Sequence, residues 1–465
     1  QARSWAKINP PPKVPTAPIP SDVSMWDQCQ HGTWYFAPWH RGYLMALEAQ
    51  LRADIVAAGG PANWALPYWN YYNVAQMPKE FAIHTLPKTF PAGLGGQKNP
   101  LYLEDRFGPD GDGNIYIPKG AIDTNCLTDT DFTDSFGGGA TPFIHFGNDT
   151  GDLENNPHNN VHVAVGGTKS NSASRTREGL MLDPNLAALD PIFYVHHSMI
   201  DAMWACWNVV KGNSNPTDPK WLKGSVPEFS MPWPKSQPWK YTPGNVTNIQ
   251  QLNYTYDFLA DASTAVAPFT PAPSHGGLTR LAARLAHLGG RALTADQPQT
   301  VAVARGLELL GASPTNLPVK SKGIQTEVRL NSKVQSKLTA SLLQASVSAT
   351  PDRVRLKLEG VKGTLGATVL NVYVNLPKGA NPDDNPGLKA GSAGLFGLRQ
   401  ASNKDKKHGG EGLSFAMDIT RIIDDLHLRN ALETGSINVS VVPYRPLPPG
   451  ADITIGRISV YRVTH

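Results

Sequence analysis

The sequence predicts two units of different class, a mainly α, loop-rich N-terminal part and an all-β, sandwich-like C-terminal part. Three observations carry this. Up to about residue 260 apolar residues recur at helical spacing between long Pro/Gly loops. The stretch TAVAPFTPAPSHGG, residues 264–277, has the Pro, Ser and Gly content of a linker. Beyond about residue 320 the apolar period falls to two. A chain of 465 residues also exceeds what one hydrophobic core usually serves, so we set the boundaries at 1–262, 263–322 and 323–465.

Composition narrows the function classes. With 40% hydrophobic and 17% charged residues the chain reads as soluble and globular, and 43 Gly and 40 Pro indicate much loop. A net charge of +4 without a run of Lys and Arg argues against nucleic acid as a partner. No apolar stretch approaches the ~18 residues of a membrane span. The first residue is Gln1, from which we expect any leader to be removed or left out. Cys29, Cys126 and Cys206 are too few for a disulfide framework, and their odd number leaves one sulfur for other chemistry. Sequons at Asn148, Asn245, Asn253 and Asn438 leave a secretory route open.

The first helix follows from DQCQHGTWYFAPWHRGYL, residues 27–44, and its continuation. Pro38 suits a first helical turn, and His40, Leu44, Leu47, Leu51 and Ile55 recur at steps of three and four until Gly59-Gly60. His40 therefore lies on the buried stripe, and His31 precedes it in a loop with Cys29 two positions earlier. In LENNPHNNVHVAVGG, residues 153–167, His158 and His162 stand four apart behind Pro157, on one face of a short helix. That spacing lets two imidazoles share an ion. LDPIFYVHHSMIDAMWACWN, residues 189–208, opens with Asp190 as an N-cap and Pro191 at the first helical position. His197 shares a face with Ile200, Asp201 and Trp204, which makes Asp201 the expected orienting partner of its ring. Neighbours on a helix diverge by ~100°, so His196 is expected not to bind the same ion as His197.

Within the linker LTRLAARLAHL, residues 278–288, predicts an amphipathic helix. Then come the strand-like phrases VRLKLEG near 354, TVLNVYVNL near 368, INVSVVP near 437 and ITIGRISVYRV near 453, with DITRIIDDL as the one helical phrase. They predict a sandwich or small barrel.

Five inward-facing histidines without a cysteine cluster favour a metal that binds imidazole: zinc, copper, iron or nickel. Their division into His31/His40 and His158/His162/His197 suggests two ions. Neither group has an Asp or Glu at ligand spacing, unlike zinc hydrolases. An all-imidazole pair points to copper and dioxygen.

These phrases resemble, in order, the signatures of the tyrosinases, catechol oxidases and molluscan-type haemocyanins. HGTWYFAPWHRGYL is similar to the first-copper motif, PHNNVH to the start of the second and DPIFYVHHSMID to its completion. NWALPYWNYYN, residues 63–73, resembles the family's aromatic segment, with Asn70 where aspartate is usual, and YTYDFL, residues 254–259, its closing Tyr-x-Tyr phrase. LNVYVNL onward more loosely resembles the C-terminal domain of plant polyphenol oxidases.

The resemblance implies a four-helix bundle around a dicopper centre, with two copper ions as cofactor and O2 as co-substrate. His31 and His40 would bind the first copper, His158, His162 and His197 the second, with His196 structural. Cys29-Gln30-His31 matches the Cys-x-His arrangement that forms a thioether in fungal members and haemocyanins. Glu154 and Asn159 match a water-holding glutamate and a water-orienting asparagine in members that hydroxylate monophenols, and the residue gating the second copper falls near Leu182 to Pro184. The implied activity is o-hydroxylation of monophenols and oxidation of o-diphenols to o-quinones, with phenols and catechols as small-molecule partners. The C-terminal domain would shield the copper cleft until it is cut away, as in a zymogen.

One position departs from the pattern. No histidine precedes His31, and in RSWAKINPPPKV Asn9 stands where the first ligand belongs. An amide oxygen is a poor ligand for Cu(I), so Asn9 is expected to weaken the first site. The alternatives are a catechol oxidase without hydroxylase activity and a copper-deficient binding homologue.

Overall fold

The computed structural model describes residues 28–91, 93–140, 149–172, 175–224, 228–259, 306–344, 351–364, 366, 368–404, 410–432, 435–447 and 451–464. The chain forms two compact units. The first comprises Gln1–Thr270 together with Gly366–Thr368 and Gly394–Gln400, and the second the remainder.

The first unit holds helices α1 (Phe36–Ala57), α2 (Asn160–Gly166) and α3 (Ile192–Val209), and two short antiparallel ribbons, β1 (Thr168–Ser172) with β2 (Arg175–Glu178) and β3 (Phe229–Met231) with β4 (Trp239–Tyr241). Among its described residues α1 and α3 are the longest helices, and α2 continues a kinked turn over Glu154–Asn159. Pro38 sits in the first turn of α1, where its missing N–H costs nothing. The helix ends before Gly59, whose φ of +82° reverses the chain. His40 and Leu44 are buried, whereas Leu47, Leu51 and Ile55 are half-buried as α1 leaves the core. α3 begins one residue after the expected start: the Asp190 carboxylate accepts a hydrogen bond from the Ile192 N–H at 3.0 Å. Being buried almost all round, it is the core helix of the unit.

Two buried ion pairs fix this frame. The Arg41 guanidinium of α1 donates to Asp201 of α3 at 2.6 Å and to the Val246 carbonyl at 2.8 Å, and lies over the Trp204 ring. Arg106 grips Asp190 with two donors at 2.6 and 2.8 Å. The other oxygen of Asp201 accepts from the hydroxyls of Tyr254 and Tyr256 at 2.7 and 2.6 Å. The expectation that Asp201 orients His197 is therefore corrected. Its carboxylate is committed to a cation and two phenols, stronger partners than a neutral imidazole N–H. Tyr256 also packs with Ala202, Ala205 and Ile249, tying the closing segment to α3.

The second unit contains strands β5 (Leu307–Ala312), β6 (Leu317–Pro318), β7 (Ile324–Leu330), β8 (Arg353–Gly363), β9 (Val369–Val374), β10 (Lys389–Gly394), β11 (Leu413–Asp418), β12 (Ser436–Pro443) and β13 (Ile453–Val463). Instead of a two-layer sandwich they form one sheet in the order β10-β9-β12-β7-β5-β13-β8-β11, with β6 on β13. The sheet curls until its two edges meet: a Cβ on Gly391 of β10 would lie 3.1 Å from Met417 of β11. Such near closure leaves little free strand edge, the advantage of a barrel over a sandwich. Alternate residues such as Leu356, Leu358, Ile458, Val460, Val439 and Val441 are fully buried. DITRIIDDL supplies α5 (Thr420–Leu428), and a second helix, α4 (Ser332–Gln344), was not expected. β5 and β6 lie within residues 263–322, the stretch read from the sequence as linker. The predicted helix at 278–288 lies outside the described residues.

Candidate metal centre

Three segments deliver six imidazoles to one buried pocket. His31 comes from the loop before α1, His40 from its second turn, His158 and His162 from the kinked turn and helix at α2, and His196 and His197 from α3. Outer-shell acceptors set the rings. The Nδ1 of His40 donates to the Phe36 carbonyl at 2.8 Å, that of His162 to the Met181 carbonyl at 2.7 Å, and that of His158 to Asn159 Oδ1 at 2.9 Å. With Nδ1 spent on an acceptor, Nε2 carries the free lone pair.

Those lone pairs converge. The Nε2 of His197 lies 3.3 Å from the Nε2 of both His158 and His162. Its ring stacks on His40 at 4.4 Å between centroids, and His31 is 5.5 Å from His40 and 5.9 Å from His158. Two donor groups result, His158/His162/His196/His197 and Cys29/His31/His40, each with ligand atoms within 4.8 Å of one another. His196, read from the sequence as structural, stands beside the other histidines of its group. Its ring is 5.2 Å from His197 and 5.0 Å from His162.

Burial makes these rings weak bases. Desolvation lowers His40 and His162 to about 3, and desolvation with the neighbouring imidazoles holds His158 and His197 well below the ordinary histidine range. Neutral at physiological pH, they offer lone pairs without proton competition. The Nε2 lone pairs of His158 and His162 both face His197 Nε2 at 3.3 Å, an approach that a shared cation or a proton on His197 holds together. That separation also suits two nitrogens ~2.0–2.1 Å from a shared ion at near-tetrahedral angle. An imidazole set without carboxylate ligands fits copper.

Glu154 and Asn159 are both buried beside the histidines. Both carboxylate oxygens of Glu154 accept from the Gly32 N–H at 2.9 Å, joining the His31 loop to the His158 segment. Burial pushes the Glu154 carboxyl up to about 8, against the opposing pull of that hydrogen bond. Asn159 faces the His158 ring and not solvent. Cys29 Sγ is 3.8 Å from His31 Nδ1 and 3.7 Å from His40 Nε2.

The sequence reading missed Phe396. Its ring lies face to face with His162, 4.0 Å between centroids at 22°, and edge-on to His31 and His158 at 5.6 and 5.7 Å. The segment reaches that depth because position 394 is glycine, where a Cβ would fall 2.5 Å from Asn160 Oδ1. The signal was a phenylalanine between glycines in Gly394-Leu395-Phe396-Gly397.

Comparison with known proteins agrees with this geometry. Residues 5–210 match the common central domain of tyrosinase, and residues 306–463 match a domain of unknown function, DUF7868. The chain is 30% identical over 445 residues to a tyrosinase from Hahella sp. (strain CCB-MM4), covering 94% of this chain and 84% of that protein. It is 30% identical over 209 residues to the latent form of a chloroplastic polyphenol oxidase from Prunus armeniaca, covering 41% of this chain and 32% of that one. In fold it is similar to latent aurone synthase, a polyphenol oxidase, with a TM-score of 0.54 and 19% identity over 94% of this chain and 77% of the other. Latent apple tyrosinase gives 0.52 and 19% over 93% and 83%. No helix among the described residues is long and apolar enough to cross a membrane. By its central-domain match and its near full-length relative, the chain belongs to the tyrosinase family of oxidoreductases.

Proposed function

We propose that the protein oxidises phenols with O2 at a pair of copper ions, hydroxylating monophenols at the ortho position and converting o-diphenols to o-quinones. The observation that carries this reading is the convergence of imidazole Nε2 atoms on one buried point. His31 and His40 would hold the first copper, and His158, His162 and His197 the second. When bound, the pair supplies the exchange of electrons between a phenol and dioxygen.

The chain's own residues prepare the phenol. Its ring takes the place of Phe396, stacked on His162 between the edges of His31 and His158. A phenol of pKa ~10 must lose its proton at pH 7. Glu154 is the acceptor group once ionised: its carboxyl at about 8 is closer in basicity to a phenolate than an ordinary carboxylate is. The ionised share able to take the proton grows as pH rises toward 8. Asn159 holds His158 in the tautomer that presents Nε2.

Residues 394–400 act as a shield, with Phe396 filling the substrate position until the segment leaves; this is the zymogen reading of the C-terminal part. Cys29 lies within reach of a thioether to the His31 imidazole, one S–C bond formed as two hydrogens pass to dioxygen. The test is incubation of the copper-loaded protein with a monophenol and a catechol. Quinone from both supports the proposal. Quinone from the catechol alone reduces it to catechol oxidase, and quinone from neither removes it.

A further inference from the structure

The segment that carries Phe396 makes a second contact with the same rim. Three residues on, the Arg399 guanidinium lies 3.3 Å from the Glu178 carboxylate and 3.8 Å from that of Asp183. These two carboxylates flank Met181, whose carbonyl orients His162. Glu178 and Asp183 are thus positioned by the turn that positions a metal-site histidine. The neighbouring cation cannot neutralise them, because Arg177 is paired with Asp105 at 2.6 Å. Glu178 also accepts from the Gly366 N–H at 3.3 Å, and Asp183 from the N–H and side-chain amide of Asn185 at 2.9 and 3.1 Å. These donors are neutral, so the charge of the two carboxylates is met by Arg399.

Phe396 and Arg399 together are therefore a ligand already in place: an aromatic ring against His162 and a cation against two carboxylates. On the reading that this ring marks the phenol position, we propose that the pocket selects phenols bearing a cationic arm, with Glu178 and Asp183 binding the cation. The arm belongs either to a small phenolic amine or to a basic residue following a tyrosine in a peptide; the chemistry recognised is the same. Phenols with a carboxylate arm meet two like charges and are disfavoured.

The experiment uses the copper-loaded full chain carrying Phe396→Ala and Arg399→Ala, which vacates both positions. Calorimetry compares two probe pairs that cannot be hydroxylated to product in the assay without O2: phenethylamine against 3-phenylpropionate, and acetyl-Phe-Gly-Leu-Arg-amide against acetyl-Phe-Gly-Leu-Glu-amide. The cationic member of at least one pair should bind about fivefold tighter, the ratio that one or two solvent-exposed ion pairs sustain. The ratio should fall toward one when Glu178→Gln and Asp183→Asn are added. The pair that ranks by charge identifies the source of the arm. The same order should appear in kcat/KM for dopamine against 3-(3,4-dihydroxyphenyl)propionate. Phe396→Ala alone, with Arg399 still competing, should give the same order with a smaller ratio, which covers a misfolded double variant. Equal binding within both pairs, or preference for the anion, overturns the inference. Failure to oxidise any catechol overturns the oxidase reading instead, and leaves the calorimetric ranking to stand or fall by itself.

Discussion

Phe396 covers the face of His162 at 4.0 Å and 22°, the closest ring-to-ring approach to this imidazole among the described residues. The contact places a bulky apolar side chain where a planar substrate has to stack. Phe396→Ala in the otherwise intact, copper-loaded chain should raise kcat/KM for 4-methylcatechol by about tenfold or more, the factor expected when some 1.4 kcal/mol of competing aromatic contact is removed. Steady-state kinetics before and after the substitution decide it. An unchanged value would mean that the segment does not limit access.

The first donor group contains two imidazoles and a thiol, the second four imidazoles. Metal analysis should therefore find the second position filled and the first weakly held, about one copper per chain at limiting metal. Asn9→His should bring this to about two, whereas His162→Ala should lower the total by emptying the second site. Full occupancy of both sites without the Asn9 change would show that Cys29 or another group compensates.

Glu154 makes stability depend on pH. Its carboxyl titrates at about 8 in the folded protein against an ordinary 4.5, so the folded state binds this proton more tightly than the unfolded chain. Its contribution is full below pH ~4.5 and is lost as pH rises through about 8. Thermal melts of metal-free protein at pH 5 and pH 8 should show a steeper decline for wild type than for Glu154→Gln. The same variant should lose monophenol hydroxylation by about 100-fold, a typical worth of a positioned base, with a smaller loss on catechols. Equal losses on both substrates would assign Glu154 to binding alone.

Arg41→Ala leaves the Asp201 carboxylate buried without its cation. Urea unfolding of the metal-free protein should show a loss of about 3–5 kcal/mol. Because Arg41 acts on Asp201, the Val246 carbonyl and Trp204, a copper-loaded variant that stays folded should keep its substrate ranking. A loss below about 1 kcal/mol would show that Tyr254 and Tyr256 satisfy Asp201 by themselves.

Cys29 is read most directly by mass. A thioether to His31 makes the denatured, reduced chain lighter by two hydrogen atoms and removes one thiol from alkylation, leaving Cys126 and Cys206. An unshifted mass with three alkylated sulfurs would show Cys29 as a thiol beside the histidines.

Much of this site was readable in the sequence because helical period fixes direction. His40 on an apolar stripe, His158 and His162 one turn apart and His197 in an otherwise apolar helix had to face inward, whereas His31, a loop residue, was assigned to the site by the family resemblance. What periodicity cannot give is the competition among partners. Asp201 stood at the right offset from His197, yet Arg41, Tyr254 and Tyr256, each from another segment, occupy it. Phe396 was invisible for the same reason, since its place depends on a glycine that admits the chain beside Asn160. The period of two in the C-terminal part announced strands with one buried face. It did not say whether two sheets oppose one another or one sheet curls on itself, and the approach of Gly391 to Met417 decides that.

Asp201 joins the helix bearing His197 to the last phrase of the first unit, through Tyr254 and Tyr256. Load on the backbone downstream of residue 259 would meet two hydroxyl–carboxylate hydrogen bonds that the Arg41 ion pair backs from the other side. A nick, a pull or a fused cargo on that side should leave the redox pocket in register, which makes the position after this phrase the natural place to attach or detach another polypeptide.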